Sequence, residues 1–529
     1  MLPSPAQLID APKFDHWFPG QEELVMKVMA WLQGDKRFLC ANVPTGFGKS
    51  IVAIIAGHLS GRWKIVYLTY TKGLQYQLMA DFDGPVQMHE IRGQSNYECM
   101  DAPPARVDEG KCHAGETCDL KSVCSYYHAL QFAKWSRFTN TNYSYWLAQN
   151  YYGDGLLPKN ELDEVEGTYP LVVMDEAHLA GRALEQHLTV NLGEMDFSVL
   201  GWEMEEMQAW TWEQWQLKCK YKEGELNHEA SELAKEMKDH TASRGERRRY
   251  KMLKNLELQM KAVGTAEIEW IREWGGSSVS LCPVWPSHYN GRLFIGDKIL
   301  LMSGTLTRKS VEKLGIREEE CEWIDSPSPF DPSNSPITQI NIGFRIEYRT
   351  PPENMEVWAR VIDRIVEKQG NRKGILFTVS YPRAELFYRL SGLPRSTLVT
   401  HHRRNTLERV EYFKKSRGPK LLVSPSVTSG WDFPDTECEY IIIGKVPFVT
   451  ATGELTKARQ KEDKEWVHFL AMETIVQEAG RGTRKMSDHC EVFVVDDHFS
   501  WFWPKYKHFS PRWFQDRVKK SVSSVPDRR

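Results

Sequence analysis

The sequence predicts an α/β protein built from two doubly wound parallel-sheet domains in tandem, the first of them interrupted by two insertions. Three observations carry this expectation. Apolar runs that end in polar loops recur in two separate groups along the chain. A glycine-bearing turn, PTGFGKS, follows the first run and precedes a helical pattern. Finally, 529 residues exceed what one ordinary core organises, so roughly two or three buried interiors are expected.

The elements follow in chain order. Residues 37–43, RFLCANV, read as a buried strand, and SIVAIIAGHL beyond the glycine turn has the apolar content of a helix packed on a sheet. KIVYLTY (64–70), YPLVVMDEAH (169–178) and KILLMSGTL (298–306) share that character, as parallel strands delivering loops to one edge would. The same grammar restarts at GILFTVS (374–380), KLLVSPSVTSG (420–430), EYIIIGK (439–445) and CEVFVVDD (490–497). Two stretches break it. Residues 96 to 140 carry a cysteine cluster, and 190 to 285 are rich in Glu, Lys, Trp and Met at helical spacing, as in EASELAKEMKDH. The proline-rich SPSPFDPSNSP (326–336) cannot continue a regular element and marks the passage to the second domain. The organisation expected is therefore a first domain in three pieces, 1–95, 141–190 and 286–325, with insertions at 96–140 and 191–285, and a second domain at 326–529.

Composition narrows the class. Sixty-eight Lys and Arg nearly balance 71 Asp and Glu, so a formal charge of -3 excludes a globally basic nucleic-acid binder while leaving room for a locally basic groove. The N-terminal MLPSPAQLIDAPKFDHWF lacks a basic start followed by an apolar run, and no apolar stretch reaches the length of a membrane span; a soluble cytoplasmic protein with no membrane partner is expected. Ten cysteines are too sparse for a disulfide scaffold.

The turn Pro44-Thr45-Gly46-Phe47-Gly48-Lys49-Ser50 fits a phosphate-binding loop. Its glycines let backbone N–H groups wrap phosphates, Lys49 neutralises the β and γ oxygens, and the Ser50 hydroxyl reaches Mg²⁺. The first glycine of the strict pattern is replaced by Val43. Asp175-Glu176-Ala177-His178 ends an apolar strand, which sets the Asp175 carboxylate beside the Mg²⁺ and Glu176 where it can orient or deprotonate an attacking water. Near the C-terminus, QEAGRGTR contains Gln477 and spaces Arg481 and Arg484 three apart, so a helix would show both arginines on one face toward a γ-phosphate. ATP with Mg²⁺ is the ligand this chemistry expects.

Cys99, Cys112, Cys118 and Cys124 crowd into one short segment and supply four thiolates, the number a [4Fe-4S] cluster or a tetrahedral zinc requires. The absence of a tight C-x-x-C pair weighs against a zinc knuckle; unliganded thiols are the remaining alternative. His113 and His128 are possible substitute ligands, though ordinary surface or packing roles fit them better. Thr69, Thr71 and Gln75 follow a strand end, where hydroxyl and amide groups suit phosphate contacts, and Thr428 is placed alike. The run Arg247, Arg248, Arg249, Lys251 and Lys254 reads as a solvated helix face, and Trp202, Trp210, Trp212 and Trp215 read as helical core.

In their order these signatures resemble superfamily 2 helicases: PTGFGKS, TYTKGLQYQ, DEAH, SGTL and QEAGRGTR. FPGQEELV, RGQSNYEC, SPFD, SGWDFP and GKVPF are similar to the XPD/DinG branch, and the likeness runs from about residue 14 to 498. The resemblance implies two RecA-like domains and an arch-like helical insertion. It implies an iron-sulfur insertion at the cysteines, contact of Gln21 with adenine, and completion of the nucleotide cleft by Asp432, Arg481 and Arg484. It also implies a DNA helicase that travels 5'-to-3' on single-stranded DNA and opens forked or tailed duplexes, with RNA-DNA hybrids as an alternative substrate; a monomer is expected. Ser429 departs from the branch, which carries an acidic residue there.

Overall fold

The computed structural model describes the chain except residues 1, 45, 115–116, 160–164, 166, 238–241, 428–430, 432, 450–451, 484–487 and 524–529. In chain order its strands are β1 Phe38–Asn42, β2 Ile65–Thr69, β3 Met88–Glu90, β4 Phe138–Asn142, β5 Leu171–Asp175, β6 Val190–Gly193, β7 Trp270–Trp274 and β8 Ser278–Pro283. They continue with β9 Ile299–Ser303, β10 Cys321–Asp325, β11 Ile337–Gln339, β12 Lys373–Phe377, β13 Leu398–Thr400, β14 Lys420–Ser424, β15 Tyr440–Ile443 and β16 Glu491–Val494.

Seven of these form one parallel sheet in the order β10-β1-β9-β5-β2-β4-β3. Because side chains alternate along a strand, each central strand feeds two cores. Leu39, Ala41, Ile65 and Tyr67 face Leu24, Val28, Ile51 and Ile55 of the helices Gln21–Gln33 and Lys49–Leu59. Phe38, Cys40, Val66 and Leu68 face Tyr143, Trp146 and Leu184 on the other side. That two-sided burial explains the nearly continuous apolar runs of these strands.

A second parallel sheet has the order β11-β16-β15-β12-β14-β13, again with a core on each face. Two RecA-like, doubly wound domains are thus present in series. In each sheet a buried lysine at or just before the start of one strand closes a neighbouring helix. Lys64 donates to the carbonyl oxygens of Ala133, Lys134 and Ser136 at the end of helix Ser125–Trp135, and Lys373 does the same for Phe413, Lys414 and Ser416. These are last-turn carbonyls that have no partner inside their own helix, so a buried ammonium there fulfils the capping requirement.

The insertion after β6 is not purely helical. Helices Trp212–Glu236 and Arg244–Gly264 pair along their length, but β6, β8 and β7 add a small antiparallel sheet beneath them. Trp202, Trp210 and Trp215 meet edge to face in this core, with ring centroids 5.0–5.9 Å apart. The basic run is not simply solvated. Glu109 receives both Arg244 (2.8 Å) and Arg248 (3.2 Å), Asp108 receives Lys251 (2.5 Å), and Arg249 pairs with Glu229 (2.6 Å). The helix is therefore laced to the cysteine-bearing insertion by ions of opposite sign. No helix among the described residues is long and apolar enough to cross a membrane.

Candidate functional site: the nucleotide cleft between the two sheets

Adjacency of β1, β9 and β5 decides the site, because the loops leaving their C-terminal ends must meet. Asn42 stands opposite Ser303 and Asp175 opposite Met302 in the strand register, and Val43 N–H donates to the Ser303 carbonyl (3.0 Å). Gly46 and Gly48 hold φ of 81° and 80°, a region that favours glycine, and Gly48 is the N-cap of helix Lys49–Leu59. The loop therefore opens onto a helix N-terminus, the usual anion-binding geometry.

Lys49 Nζ lies 3.5 Å from Glu176 Oε1. Glu176 has a left-handed backbone (φ 49°), so the chain turns sharply after β5 while its N–H donates to Asp175 Oδ1 (3.0 Å). Ser303 is a hub: its hydroxyl lies 2.6 Å from His178 Nδ1 and 3.4 Å from Glu176 Oε2, and it accepts from Thr305 N–H (3.1 Å). Tyr67 bonds to the Ser50 hydroxyl (3.3 Å) and to the Asp175 carboxylate, so the two groups expected on Mg²⁺ converge on one phenol. Tyr143 O–H donates to the Asp175 carbonyl (2.9 Å) from the opposite side. Tyr67 and Tyr143 were not singled out from sequence, where tyrosines in or beside apolar strands look like core.

Burial dominates the electrostatics. It raises Asp175 above the usual carboxylate range, with Lys49 opposing and Glu176 adding to the effect. It lowers His178 to about 4, Glu176 opposing and the positive charges of Lys49 and Arg481 reinforcing. His178 is thus a neutral imidazole near pH 7. That Arg481, carried by the second domain, acts on His178 of the first places both in one cleft. Arg481 Nη1 donates to the Trp431 carbonyl (2.8 Å).

Several expectations are corrected. The helix Trp466–Ala479 ends before Arg481, so Arg481 stands on a turn and not on a helical face, whereas Gln477, half-buried, is on the last turn of the helix. Gly480 and Gly482 end the helix, and at Gly482 a Cβ would lie 2.2 Å from the Cys490 sulfur. Gln21 is buried, with Nε2 donating to the Phe47 carbonyl (2.5 Å) and Oε1 accepting from Phe18 N–H (2.8 Å), so its amide holds the phosphate loop. Thr69 and Gln75 are fully buried, their polar groups bonded to Thr141, Ile91 and Asn140 carbonyls, and cannot touch a strand directly. Thr71 is half-exposed and caps the helix Lys72–Val86 through Leu74 N–H. Thr45, Thr428, Ser429, Asp432 and Arg484 lie outside the described residues.

Cys112 lies in a short 3₁₀ turn, Cys99 and Cys118 lie in irregular segments between such turns, and Cys124 is the N-cap of helix Ser125–Trp135. Burial raises the Cys112 thiol, a Tyr127 hydrogen bond opposes, and Cys118, Cys99 and Cys124 each raise it further, so all four sulfurs share one neighbourhood. Gly110 is required there, since a Cβ would lie 2.8 Å from Cys99 Sγ. Among the described residues, however, no three His, Cys, Asp or Glu side chains close into a metal-gripping set. The His128 ring is bonded to the Ser122 carbonyl, and the His113 side chain is outside the description. The donor chemistry fits a thiolate-held metal group; the closure around one is not formed.

A phosphate loop on one parallel sheet, faced by an arginine turn from a second, defines the class: tandem RecA-like domains that share one cleft. The helicase C-terminal domain family matches residues 362–517, and the type III restriction enzyme res subunit family matches residues 15–196. Among solved structures the chain is similar to an XPD helicase, with a TM-score of 0.63 and 16% identity over 94% of this chain and 98% of that one. It is similar also to an apo XPD (0.60, 16%, over 94% and 100%) and to Xpd4 of S. tokodaii (0.58, 15%, over 95% and 100%). At such identity the structural likeness speaks for the fold. No curated protein matches the chain in sequence. The chain therefore carries a region that matches the helicase C-terminal domain family, which implies a nucleic-acid-dependent ATPase, and its fold is like that of XPD helicases.

Proposed function

We propose that this protein is an ATP-dependent DNA helicase that moves 5'-to-3' on single-stranded DNA and separates strands at a wedge formed by the cysteine-bearing insertion. The observation that carries the motor reading is the shared cleft. Lys49, Asp175 and Glu176 of the first domain stand where Arg481 of the second acts on the same His178. In this reading the backbone of Pro44 to Gly48 and the Lys49 ammonium bind the ATP phosphates, and Ser50 and Asp175 hold Mg²⁺, which supplies charge neutralisation there. Glu176 orients and deprotonates the attacking water, while Gln477, Arg481 and Arg484 complete the site when the domains close.

Cys99, Cys112, Cys118 and Cys124 would hold a [4Fe-4S] cluster, which supplies a rigid crosslink to a segment otherwise made of short turns. The boundaries 96–140 for that insertion and 191–285 for the arch-like one, with the second domain from 326, belong to the same reading. Single-stranded and forked or tailed DNA would be the partners.

The deciding experiment is unwinding of 5'-tailed and 3'-tailed DNA forks, with matched RNA strands, by anaerobically purified protein beside its Glu176→Gln variant. ATP-dependent opening of 5'-tailed DNA alone is expected. Strand-stimulated ATP turnover without opening would make the protein a translocase, opening of RNA-containing forks would make it a hybrid helicase, and no strand-stimulated turnover would sink the motor reading.

A further inference from the structure

Trp513 lies beyond every sequence signature of the cleft, yet it touches both halves of it. Its indole Nε1 donates to the Gly304 carbonyl, 2.7 Å away across the domain boundary. Gly304 follows Ser303, the hydroxyl that binds His178 and Glu176. On its other side the ring borders the arginine turn, for a Cβ added at Gly480 would meet Trp513 Cη2 at 3.8 Å. Arg517, over the same ring at 5.7 Å, donates to the Ala479 carbonyl (3.3 Å) and the Ser335 carbonyl (2.6 Å). The segment bearing Trp513 is thereby tied to the end of the helix that delivers Arg481.

One half-buried indole therefore spans from the loop that holds Glu176 to the turn that presents Arg481. We propose that Trp513 is a positioning residue for hydrolysis: its N–H fixes the Gly304 peptide, and with it the Ser303 hydroxyl, only when the arginine turn is in place. This inference rests on the ATPase reading above. Misplacing groups of this kind lowers turnover more than binding, because the interaction matters most in the assembled cleft.

The test is steady-state, strand-stimulated ATPase of the full chain as wild type, Trp513→Phe and Trp513→His, each with its thermal midpoint. Phe keeps the ring and removes the donor, whereas His restores an N–H. We expect Trp513→Phe to lose about tenfold in kcat with ATP KM within about twofold of wild type and an unchanged midpoint, and Trp513→His to recover part of the loss. Wild-type kcat in Trp513→Phe, or a loss that tracks the thermal midpoint in both variants, would overturn the inference while leaving the ATPase reading intact. A wild-type protein without strand-stimulated turnover would instead overturn that reading, and this inference with it.

Discussion

Lys49 Nζ and Glu176 Oε1 face each other at 3.5 Å, so the cation that awaits a phosphate is meanwhile paired with the carboxylate assigned to the water. On the proposed reading, nucleotide breaks this pair when it binds, and hydrolysis then uses Glu176 as the base. The two roles separate by substitution. Glu176→Gln should lower strand-stimulated turnover by about a hundredfold or more, the range of a lost general base, while ATP binds at least as tightly because Lys49 is released. Lys49→Ala should lose ATP binding itself. Single-turnover hydrolysis and equilibrium titration with a fluorescent ATP analogue measure the two effects; weaker nucleotide binding in Glu176→Gln would contradict the competition.

His178 makes stability pH-dependent in a defined direction. Its folded pKa is held near 4 by burial, below its unfolded value, so the unfolded chain binds more protons between the two. Stability is complete above about pH 6.5 and is lost as pH falls toward 4, by about 3 kcal/mol at most for this group. Asp175, displaced upward by burial, acts with the opposite sign in the same acid range, since its folded form takes up a proton more readily than the unfolded chain. Denaturant unfolding at pH 7.5 and pH 5 should show a smaller drop in His178→Asn than in wild type. An equal drop in both proteins would assign the acid sensitivity elsewhere, with His187, also lowered to about 4 by burial, the next group to replace.

The parts of this architecture that were legible in the sequence are those where burial leaves an apolar run. β1, β2, β5 and β9 are fully buried in every residue and were readable for that reason. β4 was not, because its Thr139, Asn140 and Thr141 are buried polar residues whose side chains bond to Ala133, Gln75 and Ile91. Gln75, which in sequence looked like a group for phosphate contacts, spends its side-chain amide on the Ile91 and Asn140 carbonyls. β6, β7 and β8 were hidden among helix-forming residues, and their pairing is antiparallel and local to the insertion. In the cleft, glycines, Lys49 and the Asp175-Glu176 pair announced themselves through spacing. Trp513 had no such signal: its role comes from one hydrogen bond across 209 residues.

Glu109 joins the cysteine-bearing insertion to the arch-like helix through Arg244 and Arg248, both more than half exposed. Exposed pairs of this kind add little to stability, so their consequence lies in what else the arginines can bind. Glu109→Gln should leave the thermal midpoint unchanged and release both guanidinium groups to phosphates. Single-stranded DNA binding then becomes more salt-sensitive, its slope against log salt steeper by about 0.7 for each added phosphate contact and about 1.4 for both. Fluorescence anisotropy across a sodium chloride series reads this directly. An unchanged slope would mean that the strand does not pass between the two insertions.

Cys118 tests the cysteine cluster most cleanly, since it is half-exposed and packs in no core, whereas Cys99 and Cys124 are buried and their loss would confound folding with ligation. Protein purified without oxygen should be brown from sulfur-to-iron charge transfer, and Cys118→Ser should bleach it. The nucleotide cleft is built on β1, β5 and β9, whereas Cys118 lies in the turns before helix Ser125–Trp135, so ATP turnover should survive in large part while fork opening is lost. Metal analysis separates the alternatives. Iron and sulfide in wild type and their loss in the variant support the cluster; one zinc per chain would replace it with a tetrahedral thiolate site of the same four residues. Retained colour together with unimpaired unwinding in Cys118→Ser would remove these cysteines from the mechanism and leave strand separation to the arch-like insertion.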